Sequence, residues 1–386
     1  MREAQNEPGD GRDAREIVVV GGSAAGLYTA AKVAEAGRRV RVLESRPALD
    51  PEPRTLIVTS HFRHQVNGAA AASIRNEIRK FELFTNGRSG TVALKEPDLI
   101  IERSSLIRAL ADEAGHAGAH FEYDTRFLGL SPNARGLHVQ VDRSGQRTEL
   151  HADSVVGADG AVSRVARAAG WPPVETVPLV QAVVKLPKGF PVDTTRVWFV
   201  PDDTPYFYWL IPESTERGAL GVIGEQGRDT KRCFDRFLEK KGFEPLEWQG
   251  ARIPVYRNWV PVRRTLGNSD VYLVGDAAAQ VKVSTVGGVV TGFRGAQGVA
   301  DAILRNGRRE LRALRRELST HWLIRRALHH FRQEDYCRLV DMLNDSTRES
   351  LGTINRDEST RLLWNVVKRQ PRLVLLGLRG LLLGRR

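Results

Sequence analysis

Gly21, Ser23 and Gly26 stand in the stretch VVVGGSAAG (Val18–Gly26), behind a β-branched run and ahead of an alanine-rich one. Glycines at this spacing hold the phosphates of a dinucleotide. The first permits a tight turn out of a strand, the second lets backbone approach the diphosphate, and the third lets helix and strand pack closely. Ser23 takes the middle place; its small side chain tightens the approach without blocking it, and helix N-terminal amides still face the phosphates. Glu44 ends the next apolar run, RRVRVLES, where an acid accepts from a ribose hydroxyl and argues against a bound 2′-phosphate. The bland alternative is a strand, turn and helix with no phosphate, and Glu44 at the right spacing favours the dinucleotide.

Two later stretches repeat the theme. SVVGADGAVSRVARAAG (154–170) runs a strand into Asp159-Gly160 and then a helix. SDVYLVGDAAAQVKVSTVGGVVTGFRGAQ (269–297) runs a strand into Gly275-Asp276 and then a helix opening at Val286-Gly287-Gly288. Each motif alone is a turn; three in this order, each behind a strand, resemble the FAD-dependent oxidoreductases that share the fold of the aromatic hydroxylases and geranylgeranyl reductases. That resemblance implies FAD as cofactor. Gly21, Ser23, Gly26 and Glu44 would hold its ADP half, Asp159 and Gly160 would brace its middle, and Gly275 and Asp276 would meet the ribityl or diphosphate region. Arg103, in IIERSSLIRAL, matches an arginine that opens a helix near the cofactor. A helix N-terminus at Gly287 and Gly288 would stabilise negative charge at the N1–C2 edge of the reduced flavin ring. Arg54, just after the second strand, is a further residue within reach of flavin or phosphates.

Within that group, PYFYWLIPESTERGALGVIG (205–224) is similar to the geranylgeranyl reductase signature, with matching positions at Tyr206, Phe207, Trp209 and Pro212. The resemblance covers roughly residues 15–305. It implies hydride transfer from reduced flavin to a C=C bond of a prenyl chain, with Tyr206, Phe207 and Trp209 holding the substrate. Without it, the same aromatic strand reads as sheet core. No general acid stands out; Tyr206, Tyr208, Lys282 and a water near the glycines are the candidates, and Lys282 also reads simply as a partner for a carboxylate. His61 and His64 read as loop histidines. The chain departs from the family pattern at Val283, where proline is usual, at Val286, where glycine is usual, and at Ala166, where arginine is usual. An early cysteine beside the flavin is also missing. Two other functions stay open: a flavin monooxygenase acting on an apolar or aromatic substrate, and a non-catalytic FAD-binding protein of a membrane surface. The electron donor is left open between NAD(P)H and a ferredoxin-like protein, because neither a second dinucleotide loop nor an iron–sulfur cysteine set appears.

These residues need elements to position them. The strand at 16–22, the helix-forming LYTAAKVAEAG and the strand RRVRVLES make a βαβ unit. SSLIRALADEAGHAG (104–118) reads as a helix with Ser104 as its N-cap. TRVWFV, YFYWLI and ALGVIG read as strands, and the chain beyond about 290 as mostly helical. The fold class expected is α/β: a Rossmann-like FAD-binding domain of the aromatic-hydroxylase type, an inserted mixed β-sheet substrate domain and a helical C-terminal region. The expected division is a flexible tail at 1–15, a discontinuous FAD domain at 16–75, 96–175 and 265–305, a substrate domain at 76–95 and 176–264, and the C-terminal region at 306–386.

Composition agrees with a folded enzyme: 386 residues, 41% hydrophobic and 27% charged. The two cysteines, Cys233 and Cys337, have no metal-ligand spacing and suit a reducing cytosol. The start lacks the apolar core of a signal peptide. The net charge of +12 has no zinc-finger, RNA-binding or basic-zipper motif behind it, so no nucleic acid is expected. The last segment, RLLWNVVKRQPRLVLLGLRGLLLGRR, carries seven basic and no acidic residues. At helical spacing Arg361, Lys368, Arg372, Arg379 and Arg386 fall on one line beside an apolar surface, with Pro371 as a break. That pattern suits a helix on an anionic membrane surface as well as one packed on the protein body. The expected location is cytoplasmic, with peripheral attachment to the inner membrane face, and the expected partner an isoprenoid or lipid substrate.

Overall fold

The computed structural model describes residues 16–66 and 68–383. The expected N-terminal tail and Arg386 lie outside these residues. The strands in chain order are β1 (Glu16–Val20), β2 (Arg39–Leu43), β3 (Thr55–Val58), β4 (Ile74–Thr85), β5 (Arg88–Glu102) and β6 (His120–Glu122). There follow β7 (Thr125–Pro132), β8 (Leu137–Arg143), β9 (Gln146–Ala152), β10 (Ser154–Gly157), β11 (Thr176–Lys185) and β12 (Thr194–Trp198). The last are β13 (Tyr208–Pro212), β14 (Arg217–Ile223), β15 (Pro245–Pro254), β16 (Arg263–Leu266) and β17 (Ser269–Leu273). The helices are α1 (Ala24–Glu35), the single turns α2 (Phe62–Gln65) and α3 (Gly68–Ala71), α4 (Arg103–His116), α5 (Arg164–Ala168) and α6 (Thr230–Lys241). They continue with α7 (Val289–Arg305), α8 (Arg309–His329), α9 (Gln333–Asp341), α10 (Asp345–Thr353), α11 (Ser359–Arg369) and α12 (Arg372–Leu383).

One sheet runs β16–β17–β10–β1–β2–β6, parallel except for β16 at its edge. Helices cover a parallel sheet, so its strands are continuous apolar runs, as the buried Ile17–Val20 shows. The register matters most. Val20 pairs with both Leu43 and Gly157, and Gly157 pairs with Leu273. Gly21, Glu44, Asp159 and Gly275 therefore leave the sheet side by side at its C-terminal edge, where ligands of such folds bind.

The second sheet runs β15–β11–β14–β13–β12–β4–β5–β3, antiparallel except where β12 meets β4. It takes in more chain than the sequence division assigned to it: β3 and the full lengths of β4 and β5 pair here. Because β5 ends at Glu102 and α4 begins at Arg103, one strand carries the second sheet directly to the cofactor edge. Strand alternation splits β13 between two cores. Tyr208 and Leu210 pack on Phe234 and Phe237 of α6, while Trp209 and Ile211 face the other way. The strands β7–β9 form a small third sheet.

Two local expectations change. The N-cap of α4 is Glu102 and not Ser104; its carboxylate accepts from the Ser104 and Ser105 amides, and these bonds, against burial, hold it down to about 2. The basic line of the last segment is cut, because Pro371 separates α11 from α12. Arg379, itself exposed, then pairs with the buried Asp335 at 2.8 Å. Gly380 lies so near α8 that a Cβ there would sit 2.2 Å from the Ala327 carbonyl oxygen. One face of α12 thus packs on the body, while Leu375, Leu378 and Leu382 stay exposed.

Candidate active site

At the C-terminal edge of the parallel sheet the backbone conformation selects glycine. Gly21 has φ +105°, and a Cβ there would lie 2.6 Å from the Ala158 carbonyl oxygen. A Cβ on Gly26 would lie 2.6 Å from both the Ala158 Cβ and the Gly21 oxygen, so this residue lets α1 close on β10. Ser23 is the N-cap of α1: its Oγ accepts from the Gly26 amide at 3.3 Å. The hydroxyl is thus spent on the helix, and this explains a serine at the middle position. The Glu44 carboxylate accepts from the Gly22 amide at 2.9 Å and from the Arg46 amide at 3.0 Å, which fixes it beside the loop.

The other motifs divide. Asp159 accepts from the Arg164 amide at 2.6 Å, the Val165 amide at 3.1 Å and the Ser163 hydroxyl, so its carboxylate caps α5 and Gly160 makes the turn. Gly275 donates its amide to Gln280 Oε1 at 2.7 Å. Asp276 is pushed up by burial and pulled down by Arg54 and Arg103. Burial, then the charge of Arg103, brings Arg54 down to about 10, and its Nε is buried without a hydrogen-bond partner. Arg54 and Arg103 both act on the Asp276 carboxylate, with Glu52 also near them. The paired arginines, the unpartnered Arg54 Nε and the glycine cradle fit the diphosphate of FAD.

The glycine cluster sits at the start of α7, whose N-cap is Gly288. Residues 282–287 form a tight hairpin, with Lys282 N–H to Gly287 O at 3.0 Å and Val286 N–H to Lys282 O at 2.6 Å. Val286 holds φ +55°, a left-handed conformation that costs a β-branched residue roughly 1–3 kcal/mol. The backbone keeps the shape that a glycine would adopt freely. Beneath it, a Cβ on Gly287 would be 3.4 Å from Lys282 Nζ. The lysine is 4% exposed and ion-paired with the buried Asp357, which also accepts from the Thr59 hydroxyl. Burial raises Asp357, but Lys282 and Thr59 outweigh it and bring it down to about 2.

His321 lies in the same enclosure, its Nδ1 2.6 Å from Ser284 Oγ. Burial, then the Lys282 charge, push the imidazole from 6.5 down to about 3. The unfolded chain therefore binds this proton near pH 6.5 and the folded chain only near pH 3. Between those values stability rises with pH, by about 1.4 kcal/mol per unit. Urea midpoints should fall as pH drops from 6.5 to 4, and His321→Gln should flatten that slope. Equal slopes in both proteins would assign the proton elsewhere.

From this enclosure a cavity of about 680 Å³ extends between the second sheet and the C-terminal helices. Arg54, Lys282, Gly287 and Gly288 stand at its wall, as do Tyr206, Phe207 and Trp209. Trp209 is fixed by its indole N–H, which donates to Gln181 Oε1 at 3.1 Å, and Phe207 meets it edge-on with centroids 6.1 Å apart. Tyr208 points to the opposite face, donating to Asp203 at 2.9 Å, and leaves the set of proton donors. Leu363 and Val366 of α11 and Leu376 and Leu381 of α12 line the rest. Asp357, His321 and Arg325 were not singled out in the sequence. Yet Leu311, Leu314, Leu318, His321 and Arg325 are all buried on α8, at spacings of three and four. That apolar stripe, extended by two turns, is the signal that points His321 and Arg325 inward.

Among the described residues no group of histidine, cysteine or acidic side chains has the arrangement of a metal site, and no helix is long and apolar enough to cross a membrane. A family model described as FAD binding domain matches residues 14–305. A digeranylgeranylglycerophospholipid reductase of Methanothrix thermoacetophila is 29% identical over 313 residues, spanning 75% of this chain and 78% of the relative. The crystal structure of a geranylgeranyl bacteriochlorophyll reductase-like protein from Thermoplasma acidophilum has a TM-score of 0.77 at 19% identity, covering 93% of this chain and 97% of that one. The p-nitrophenol 4-monooxygenase of Pseudomonas putida has a TM-score of 0.61 at 17% identity, covering 95% and 97%. Both likenesses support the α/β fold described above.

Proposed function

The chain belongs to the FAD binding domain family, and from that premise we propose that it is a FAD-dependent reductase of C=C bonds in a prenyl chain. FAD held at the nucleotide edge by Gly21, Gly26, Arg54 and Arg103 would, when reduced by an external two-electron donor, supply hydride chemistry for one alkene carbon. The observation that carries the substrate class is the cavity. At about 680 Å³ it falls in the upper part of the usual range for small-molecule sites, and its wall beyond the glycine cluster is overwhelmingly apolar. A long hydrocarbon fills such a space. The relative named for reduction of a digeranylgeranyl lipid supports the same class.

The chain's own residues have separable tasks. Gly21, Ser23, Gly26 and Glu44, with Arg54, Arg103 and Asp276, hold the nucleotide, and Gly275, Gly287 and Gly288 shape the edge that meets the ring. Asp159 and Gly160 support that edge through the α5 cap. Phe207 and Trp209 exclude water and offer ring faces to the double bond, where they stabilise developing positive charge. The second carbon needs a proton, and Tyr206, Ser284 and Lys282 are protic groups on the cavity wall. Lys282 donates to the buried Asp357, which orients its ammonium group at the wall.

The exposed Trp364, Leu375, Leu378 and Leu382, with Lys368 and Arg372 among them, support docking of α11 and α12 on an anionic lipid surface. Mixing chemically reduced holoenzyme with geranylgeranyl compounds without oxygen tests the activity. Flavin reoxidation with product gaining pairs of hydrogens is the expected result. Oxygen dependence with product gaining oxygen would instead establish the monooxygenase.

A further inference from the structure

Arg325 is 2% exposed on α8 and lines the cavity, one helical turn beyond His321. Its Nη2 donates to the Pro205 carbonyl, and its guanidinium lies over the Tyr206 ring at 4.6 Å from the centroid. The Nε is buried without any hydrogen-bond partner. Among the described residues no carboxylate lies within 4.0 Å of it. The acids of this region are engaged elsewhere: Glu225 with Arg228 at 3.0 Å and His329 at 3.6 Å, Asp335 with Arg379 at 2.8 Å. Tyr336, 1% exposed, also lines the cavity, and its hydroxyl donates only weakly, to Leu328 O at 3.4 Å.

Enclosing a guanidinium without a counter-charge costs several kcal/mol, and aromatic contact with one carbonyl offsets only part of that. The imbalance is removed when a ligand brings the anion. Arginine's planar fork suits a phosphate oxygen pair, and burial beside an apolar channel suits an anion attached to hydrocarbon. This charge also stands apart from the nucleotide edge: it belongs to α8 and the Pro205–Tyr206 segment, whereas Arg54 and Arg103 flank Asp276.

We propose that Arg325, with the Tyr336 hydroxyl and the Tyr206 ring, forms an anion subsite inside the cavity that takes the phosphate or diphosphate group of the prenyl substrate. This rests on the prenyl-reductase function above and adds that the head of the substrate is buried with its tail, so that charged prenyl esters are selected over prenyl alcohols. The enzyme distinguishes them by an interaction that the alcohol cannot replace.

Equilibrium binding to FAD-loaded protein tests this with geranylgeranyl diphosphate, a digeranylgeranyl glycerol phosphate and geranylgeraniol as probes. Wild type should bind one of the two esters more tightly than the alcohol, and which one identifies the source of the anion. Arg325→Gln should weaken that ester by about 30-fold, the value of a lost charge-assisted hydrogen bond, with geranylgeraniol unchanged. Inorganic diphosphate or phosphate should compete with the ester in wild type and lose that ability in the variant. Arg325→Lys keeps the charge without the fork and should fall between the two, which guards against a misfolded glutamine variant. Equal weakening of ester and alcohol, or a wild type indifferent to the phosphate, overturns the subsite while leaving prenyl reduction intact. Failure of all three probes to bind would sink both.

Discussion

Gly21→Ala protein is expected to purify without flavin colour and to bind added FAD at least about 100-fold more weakly than wild type. Two effects act together. The methyl group would force an L-residue to φ +105°, and its Cβ would stand 2.6 Å from the Ala158 carbonyl oxygen. That oxygen belongs to the turn after β10, which hydrogen-bonds back to Val20 through the Ala158 amide at 2.8 Å. Neither side yields without moving the β1–β10 pair, so the loop shifts and its amides lose their aim at the diphosphate. Gly118→Ala, in the turn after α4 and away from the nucleotide edge, is the matched control: it has φ +98° but nothing within 4 Å of the new Cβ. It pays the conformational cost alone, roughly 1 kcal/mol, and should keep its flavin. Visible absorption of both purified proteins, then titration with FAD, decides the matter. A yellow Gly21→Ala protein of wild-type affinity would show that the dinucleotide lies elsewhere.

The second large effect concerns Lys282 and Asp357. Lys282→Met leaves a carboxylate 3% exposed with the Thr59 hydroxyl but without its ion-pair partner, and a loss of about 3–5 kcal/mol in urea unfolding is expected. The double variant Lys282→Met, Asp357→Leu removes both charges and should recover most of that loss, since apolar replacements of buried pairs are often near neutral. Because Asp357 enters from the segment between α10 and α11, the single variant should also expose the C-terminal helices to protease sooner than wild type. A double variant as unstable as the single one would mean that packing, and not charge pairing, sets the cost.

Legibility from sequence followed the range of the interactions. The βαβ unit, Glu44 and the two later glycine–aspartate motifs were readable because each is a local pattern whose geometry is fixed by a strand and the turn behind it. Arg103 was readable for the same reason, although its helix is capped by Glu102 and not by Ser104. Asp159 was found by motif, and the structure turns its carboxylate onto α5. Asp357 was out of reach: it meets Thr59 across 298 residues and Lys282 across 75, and no local pattern marks either contact. The tail was half legible. Its two helices and the break at Pro371 follow from composition, but the pairing of Arg379 depends on where Asp335 lies. The Val286 position shows the converse case, in which the family pattern implied glycine and the backbone keeps a glycine-like φ under a valine.

The cavity draws its walls from two stretches of chain with different obligations. Arg54, Gly287 and Gly288, at the nucleotide edge, must satisfy a cofactor whose dimensions never vary, and they leave little room for drift. Leu363, Val366, Leu376 and Leu381 meet the far part of the cavity and take no part in the nucleotide edge. A bulkier or smaller residue at these positions changes how many isoprene units fit while every contact to the nucleotide stays as it was. Substrate length in this architecture is accordingly adjustable without disturbing the residues that serve the redox chemistry. A redesign for shorter or longer prenyl chains should begin at α11 and α12.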